Sequence, residues 1–131
     1  EMPAKMGRID AFEESYAVAL DAVIRCKPNL IVGSSFGGAI LMRLTLERHW
    51  QGPCIFLAQA GVRYGLGDRL PLGIRAILIH GTNDTLIDAS DSQMLAERSG
   101  PEVVFWATAG EHRLHEITTD GTLKKAIDTL L

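Results

Sequence analysis

The sequence predicts an α/β domain in which a parallel sheet is flanked by helices, and three observations point there. Helix-like segments, with apolar residues mostly three and four apart, alternate along the chain with short apolar runs. That alternation builds parallel strands with helices packed on the faces of the sheet. The first apolar run, Leu30 to Gly33, is continuous rather than in–out, as expected of a strand covered on both faces,. Finally, 131 residues with 47% hydrophobic content suit one domain over 1–131, long enough to bury roughly two-thirds of its extended surface.

Each element has a local reason. From Ile9 to Cys26, the positions Ile9, Phe12, Tyr16, Val18, Ala19, Val23 and Ile24 mostly follow helical spacing, and Asp10, Glu13 and Glu14 are expected in the first turn,. Lys27-Pro28-Asn29 stops this helix. A first strand, Leu30 to Gly33, leads into a helix from Gly38 to Trp50, which Gln51-Gly52-Pro53 breaks. Cys54 to Ala58 reads as a buried strand. Gln59 to Gly73, with four glycines and a proline, is an irregular crossover,. Ile74 to His80 is the third strand. After the polar loop Gly81 to Ala89, a helix is expected over Ser90 to Ser99, capped by Ser90 or Asp91,. Glu102 to Ala107 is the fourth strand, Thr108 to Glu116 a loop, and Asp120 to Leu131 the last helix.

Composition narrows the function classes. The net charge is −3, with charges scattered rather than blocked. No basic stripe points to nucleic acid or a membrane surface as partner, and no apolar run approaches the roughly 18 residues of a membrane span. Cys26 and Cys54 lack metal-ligand spacing and are expected to be reduced core residues,. The opening Glu1-Met2-Pro3-Ala4-Lys5 lacks a signal-peptide pattern, so the expected location is the cytoplasm,.

The chemistry is concentrated in Gly33-Ser34-Ser35-Phe36-Gly37, a Gly-x-Ser-x-Gly pattern between a strand and a helix. In that setting the motif makes a sharp turn that lifts the serine above the sheet. Flanking glycines relieve the crowding, and the N–H of Phe36 is aimed at any oxyanion forming beside the Ser35 hydroxyl. Ligands of an open parallel sheet sit beyond the carboxyl ends of the strands. Asp84 follows the third strand and His112 the fourth, giving the order Ser, Asp, His,. Ser34 competes with Ser35, Asp88 and Asp91 with Asp84, and His115 with His112. Asp84 could equally cap its own loop. His49 and His80, ending a helix and a strand, read as structural.

Three stretches in this order resemble the α/β-hydrolase superfamily, especially its small, lidless bacterial esterase-like members. They are Val32-Gly33-Ser34-Ser35-Phe36-Gly37-Gly38, His80-Gly81-Thr82-Asn83-Asp84 and Gly110-Glu111-His112-Arg113-Leu114. The resemblance covers nearly the whole chain. It implies Ser35 as nucleophile, His112 as general base and acid, Asp84 as the carboxylate that orients the imidazole, and no metal or organic cofactor. It also implies a minimal α/β-hydrolase core lacking the usual N-terminal strands. Only 34 residues precede Ser35, and Glu1-Met2-Pro3 reads as the tail of a missing strand. On that resemblance the loop that supplies a second oxyanion donor in the family is expected to be missing, and unless another group substitutes for it, turnover is expected to be lower by about 100- to 1,000-fold.

Without those strands, Leu30 to Gly33 is expected to be an open sheet edge, which predicts a homo-oligomer. The short crossover leaves little room for a lid. Val62, Tyr64, Leu66, Leu70 and Leu72 are expected as a shallow apolar wall beside Ser35, or simply as packing. An open site suits small, short-chain esters. A thioesterase or amidase would use the same residues, and a non-catalytic remnant is the rival of a different class. Nucleotide binding is disfavoured, because Gly33 to Gly38 has neither Gly-x-Gly-x-x-Gly spacing nor a P-loop lysine,.

Overall fold

The computed structural model describes residues 4–131, with side chains from residue 11 onward. The expected strand tail at Glu1-Met2-Pro3 and the side chains of Ile9 and Asp10 lie outside the described residues. In chain order the elements are α1 (Ala4–Cys26), β1 (Ile31–Ser34), α2 (Phe36–Leu46), β2 (Cys54–Leu57), β3 (Ala76–Gly81), α3 (Ala89–Arg98), β4 (Val103–Thr108), a 3-10 turn (His115–Thr118) and α4 (Thr122–Leu130). Because α1 starts at Ala4, the acids expected in its first turn lie further along the helix.

The four strands form one parallel sheet in the order β1-β2-β3-β4. Strands added in one direction by right-handed crossovers leave their connections on one face. The packing agrees with this. Phe56 and Leu78 point toward Leu41 and Leu44 of α2 and Leu95 of α3. On the other face Ile55, Ile77 and Ile79 meet Ile117, Ala126 and Leu130. Each fully buried side chain of this size contributes about 1.5–3 kcal/mol.

Coverage is uneven, which corrects one expectation. Among the described residues β1 is an edge strand covered on its Gly33 face alone; Val32, paired in register with Ile55, is 41% exposed. A continuous apolar run did not mean burial on both faces here, because α4 lies against the middle of the sheet and not its β1 edge.

Three local details also differ from the sequence reading. Asp88 caps α3, its carboxylate accepting from the Ser90 N–H at 2.8 Å. Cys26 is exposed, whereas Cys54 is buried and its thiol is pushed up to about 12 by that burial. Leu70 belongs to the core, and Leu72 is exposed beside Gly100. Of the five residues expected as a wall, Tyr64 is the one whose ring meets Phe36, at 5.8 Å between centroids. No described helix is long and apolar enough to cross a membrane.

Candidate active site

Ser35 sits between the end of β1 and the start of α2 with φ 53° and ψ −111°. A side chain at positive φ costs about 1–3 kcal/mol and persists only where the surroundings over-determine it. Four backbone hydrogen bonds do so. The Ser35 N–H donates to the Leu57 carbonyl at 2.8 Å, and the Ser35 carbonyl accepts from Gly38, Ala39 and Ala60 at 2.9, 3.2 and 3.0 Å.

The glycines of this turn have different duties. A Cβ on Gly33 would lie 2.9 Å from the Gly37 carbonyl carbon and 3.0 Å from Leu41 Cβ, and one on Gly38 would lie 2.9 Å from Gln59 Cα. Those two must be bare. A Cβ on Gly37 would meet nothing within 4 Å, so the second glycine of the motif is not demanded by packing among the described residues.

Three side chains from three loops meet at this rim. Ser35 Oγ lies 2.7 Å from His112 Nε2, and His112 Nδ1 lies 2.7 Å from Asp84 Oδ2. The sheet explains the meeting, since parallel strands end at one edge and each residue follows the end of a strand. Gly81 lets the last two loops touch: its position is 2.9 Å from the Glu111 carbonyl oxygen, measured from where a Cβ would stand. The loops are tied by Asn83, whose N–H donates to Gly110 O at 3.2 Å and whose amide donates to Ala109 O at 2.6 Å.

The Asp84 side chain is fully buried and that of His112 is 17% exposed. Burial pushes the Asp84 carboxyl up, but hydrogen bonds from the Ile87 N–H, from His112 and from the Leu86 N–H outweigh it and hold the group below the usual carboxylate range,. Asp84 is therefore an acceptor only at neutral pH. It follows that His112 carries its proton on Nδ1, leaving the Nε2 lone pair to face the Ser35 hydroxyl. Asp84 serves both readings raised by the sequence: Oδ1 accepts from the Leu86 and Ile87 N–H groups at 2.8 and 2.9 Å, while Oδ2 faces His112.

The competitors fall elsewhere. Asp88 caps α3, His115 is exposed in the 3-10 turn, and His49 lies 4.0 Å from Glu47 on the surface. Phe36 opens α2, where helix N–H groups lack intrahelical acceptors,. His80 is closer to this site than its reading as a strand-end histidine suggested. It is fully buried, with Nε2 3.0 Å from Asp84 Oδ2. Ser92 and Gln59 extend the same buried polar cluster. Nothing in their local sequence marks these two, whereas His80 abuts the glycine that precedes the Asp84 loop. Among the described residues, no group of His, Cys, Asp and Glu is arranged to hold a metal ion.

No protein-family model and no curated protein matches this sequence significantly. Solved structures do match. The chain is similar to the mouse alpha/beta hydrolase domain-containing protein 10, with a TM-score of 0.75 and 20% identity over 91% of this chain and 68% of that one. It is also similar to the esterase domain of a Rhodothermus marinus protein, with a TM-score of 0.64 and 16% identity over 90% of this chain and 66% of that one. The chain thus spans about two-thirds of the length of these structures. Identity at this level carries the fold: the chain has the α/β-hydrolase fold, with a four-stranded parallel sheet among its described residues.

Proposed function

We propose that this chain is a serine hydrolase that cleaves small, short-chain carboxylic esters through an acyl-enzyme. The observation that carries the reading is the unbroken file of contacts from Ser35 Oγ through His112 to the buried Asp84 carboxylate. In the proposed reaction, Ser35 Oγ attacks the ester carbonyl as His112 Nε2 takes its proton. Asp84 stabilises the resulting imidazolium. His112 then returns the proton to the departing alcohol; a water deprotonated by the same nitrogen attacks the acyl-enzyme, and the Ser35–acyl bond breaks as His112 gives that proton back to Ser35 Oγ, releasing the acid. The tetrahedral oxyanion is held by the Phe36 N–H at the start of α2, where the helix dipole also favours negative charge.

Fold neighbours described as hydrolases and esterases support hydrolysis in general. The preference for short acyl groups is drawn from the rings of Phe36, Tyr64 and Phe12, which pack on one another at 5.5–5.8 Å between centroids at the serine turn. The β1 edge, with its exposed Val32, supports self-association as part of the same proposal,.

The test is hydrolysis of p-nitrophenyl esters of increasing acyl length by the wild type and by Ser35→Ala, His112→Ala and the double variant. Either single change should remove nearly all turnover, with the double variant no worse, because the pair acts as a unit. Turnover should be greatest for acetate and butyrate. Wild-type rates in folded Ser35→Ala would end the hydrolase reading. Faster cleavage of matched thioesters or amides would move the substrate class while keeping the residues.

A further inference from the structure

The buried cluster behind Asp84 fixes its own protonation states, starting from one unambiguous donor. The backbone N–H of Val62 donates to Gln59 Oε1 at 3.2 Å, so the other end of that amide is the NH2 group, which donates to Ser92 Oγ at 3.2 Å. With one lone pair of Ser92 Oγ taken, its hydroxyl proton is left for His80 Nδ1, 2.7 Å away. No other acceptor for that proton is present among the described residues, and the group is buried. Nδ1 therefore accepts, and the His80 proton is on Nε2. That N–H faces two acceptors, Asp84 Oδ2 at 3.0 Å and Ile87 O at 2.9 Å. A doubly protonated His80 would strand the Ser92 proton in the interior, an expensive arrangement. No buried side-chain polar atom among the described residues lacks a partner.

We propose that His80 is a positioning residue for Asp84: neutral, with its proton on Nε2, it pins Oδ2 at the point where His112 Nδ1–H docks. The relay runs from Gln59 after β2, through Ser92 of α3 and His80 of β3, to the Asp84–His112–Ser35 file. Gln59 also lies against Gly38, two residues into α2, so both ends of the relay touch the serine turn. Oδ1 is held by two backbone N–H groups, whereas Oδ2 would have only His112 without His80. Oδ1 keeps its two backbone donors, so the carboxylate would not flip, but Oδ2 would be free to tilt about that anchor and His112 would lose a fixed acceptor. The effect on turnover rests on the hydrolase reading above; the effect on the imidazoles does not.

The experiment is long-range 1H–15N NMR of the histidine rings in the wild type, His80→Leu and His80→Gln, combined with ester kinetics. In the wild type, His80 should show a protonated Nε2 and a bare Nδ1; the opposite tautomer or a doubly protonated ring overturns the proposal without any variant. His112 should show a downfield Nδ1–H signal that broadens or vanishes in His80→Leu and returns in His80→Gln, whose amide can again donate toward Asp84. In the kinetics, His80→Leu should lower kcat about 10- to 100-fold with KM within about 2-fold, and His80→Gln should recover most of the loss. A folded His80→Leu with an unchanged His112 signal overturns the proposal, as does a loss confined to KM. Should the wild type prove inactive, the hydrolase reading fails while the ring signals still decide the role of His80.

Discussion

Gly81→Ala probes the link between the fold and the candidate site most sharply. Gly81 ends β3 and lies directly under the loop that carries His112. An added Cβ would stand 2.5 Å from the Gly110 carbonyl carbon, nearer still to its oxygen, and 2.9 Å from the Glu111 oxygen. These are backbone atoms, so no flexible side chain can swing aside. The loop must retreat by about an ångström, and overpacking of this kind costs about 1–3 kcal/mol. The same displacement moves His112 relative to both Asp84 and Ser35, and an ångström of misplacement costs about 100-fold in rate. For a chain of this size the stability loss lowers Tm by roughly 2–15 °C. Differential scanning calorimetry and short-chain ester kinetics read the two effects. Gly37→Ala is the matched control, because its Cβ meets nothing within 4 Å and alanine favours a helix over glycine by about 1 kcal/mol,. If Gly81→Ala melted and turned over like the wild type, the claim that this glycine sets the distance between the two loops would be wrong.

Further outcomes follow from the same geometry. Asp84→Asn should lower kcat by about 1,000- to 10,000-fold, because the Leu86 and Ile87 N–H groups hold its oxygen and turn its NH2 toward the His80 and His112 donors; rates within tenfold of wild type would contradict this. The Asp84 carboxyl is held below its ordinary value, so its stabilisation is complete above about pH 4 and is lost as pH falls through the lower folded value. Denaturant unfolding from pH 5 to 2 should therefore show a shallower acid decline in Asp84→Asn than in the wild type, and parallel curves would count against it. Asp88→Ala removes the α3 cap and should cost about 0.5–2 kcal/mol with KM unaltered,. Light scattering should give a molar mass of at least twice the chain's 14.3 kDa if the β1 edge self-associates, and a monomer would refute that part of the proposal.

How much was legible in the sequence follows from physical range. Buried parallel strands are apolar runs bounded by Gly, Pro and Asn, so β2 and β3 can be read within a residue or two. That Ser35, Asp84 and His112 stand together was legible too, since successive parallel strands deliver the residues after them to one edge. What depends on contacts between distant segments was not. Val32 looks like any buried valine until the sheet order leaves β1 at the edge. Gly37 shares a motif with Gly33, yet only the folded backbone separates the glycine pressed on its neighbours from the one facing open space. Asp88-Ala89-Ser90-Asp91 offers three possible caps, and the hydrogen bond to the Ser90 N–H selects the first. The role of His80 depends on Ser92, Gln59 and Asp84 together, three residues from three different segments.

The proposed hydrolysis depends first on activation of the Ser35 hydroxyl by His112. Intact-mass and peptide-mapping spectrometry after exposure to a fluorophosphonate tests it without knowledge of the natural substrate. One covalent adduct per chain is expected, located on Ser35, and none in folded His112→Ala. An unmodified wild-type protein, or an adduct that forms equally well without the imidazole, would contradict it.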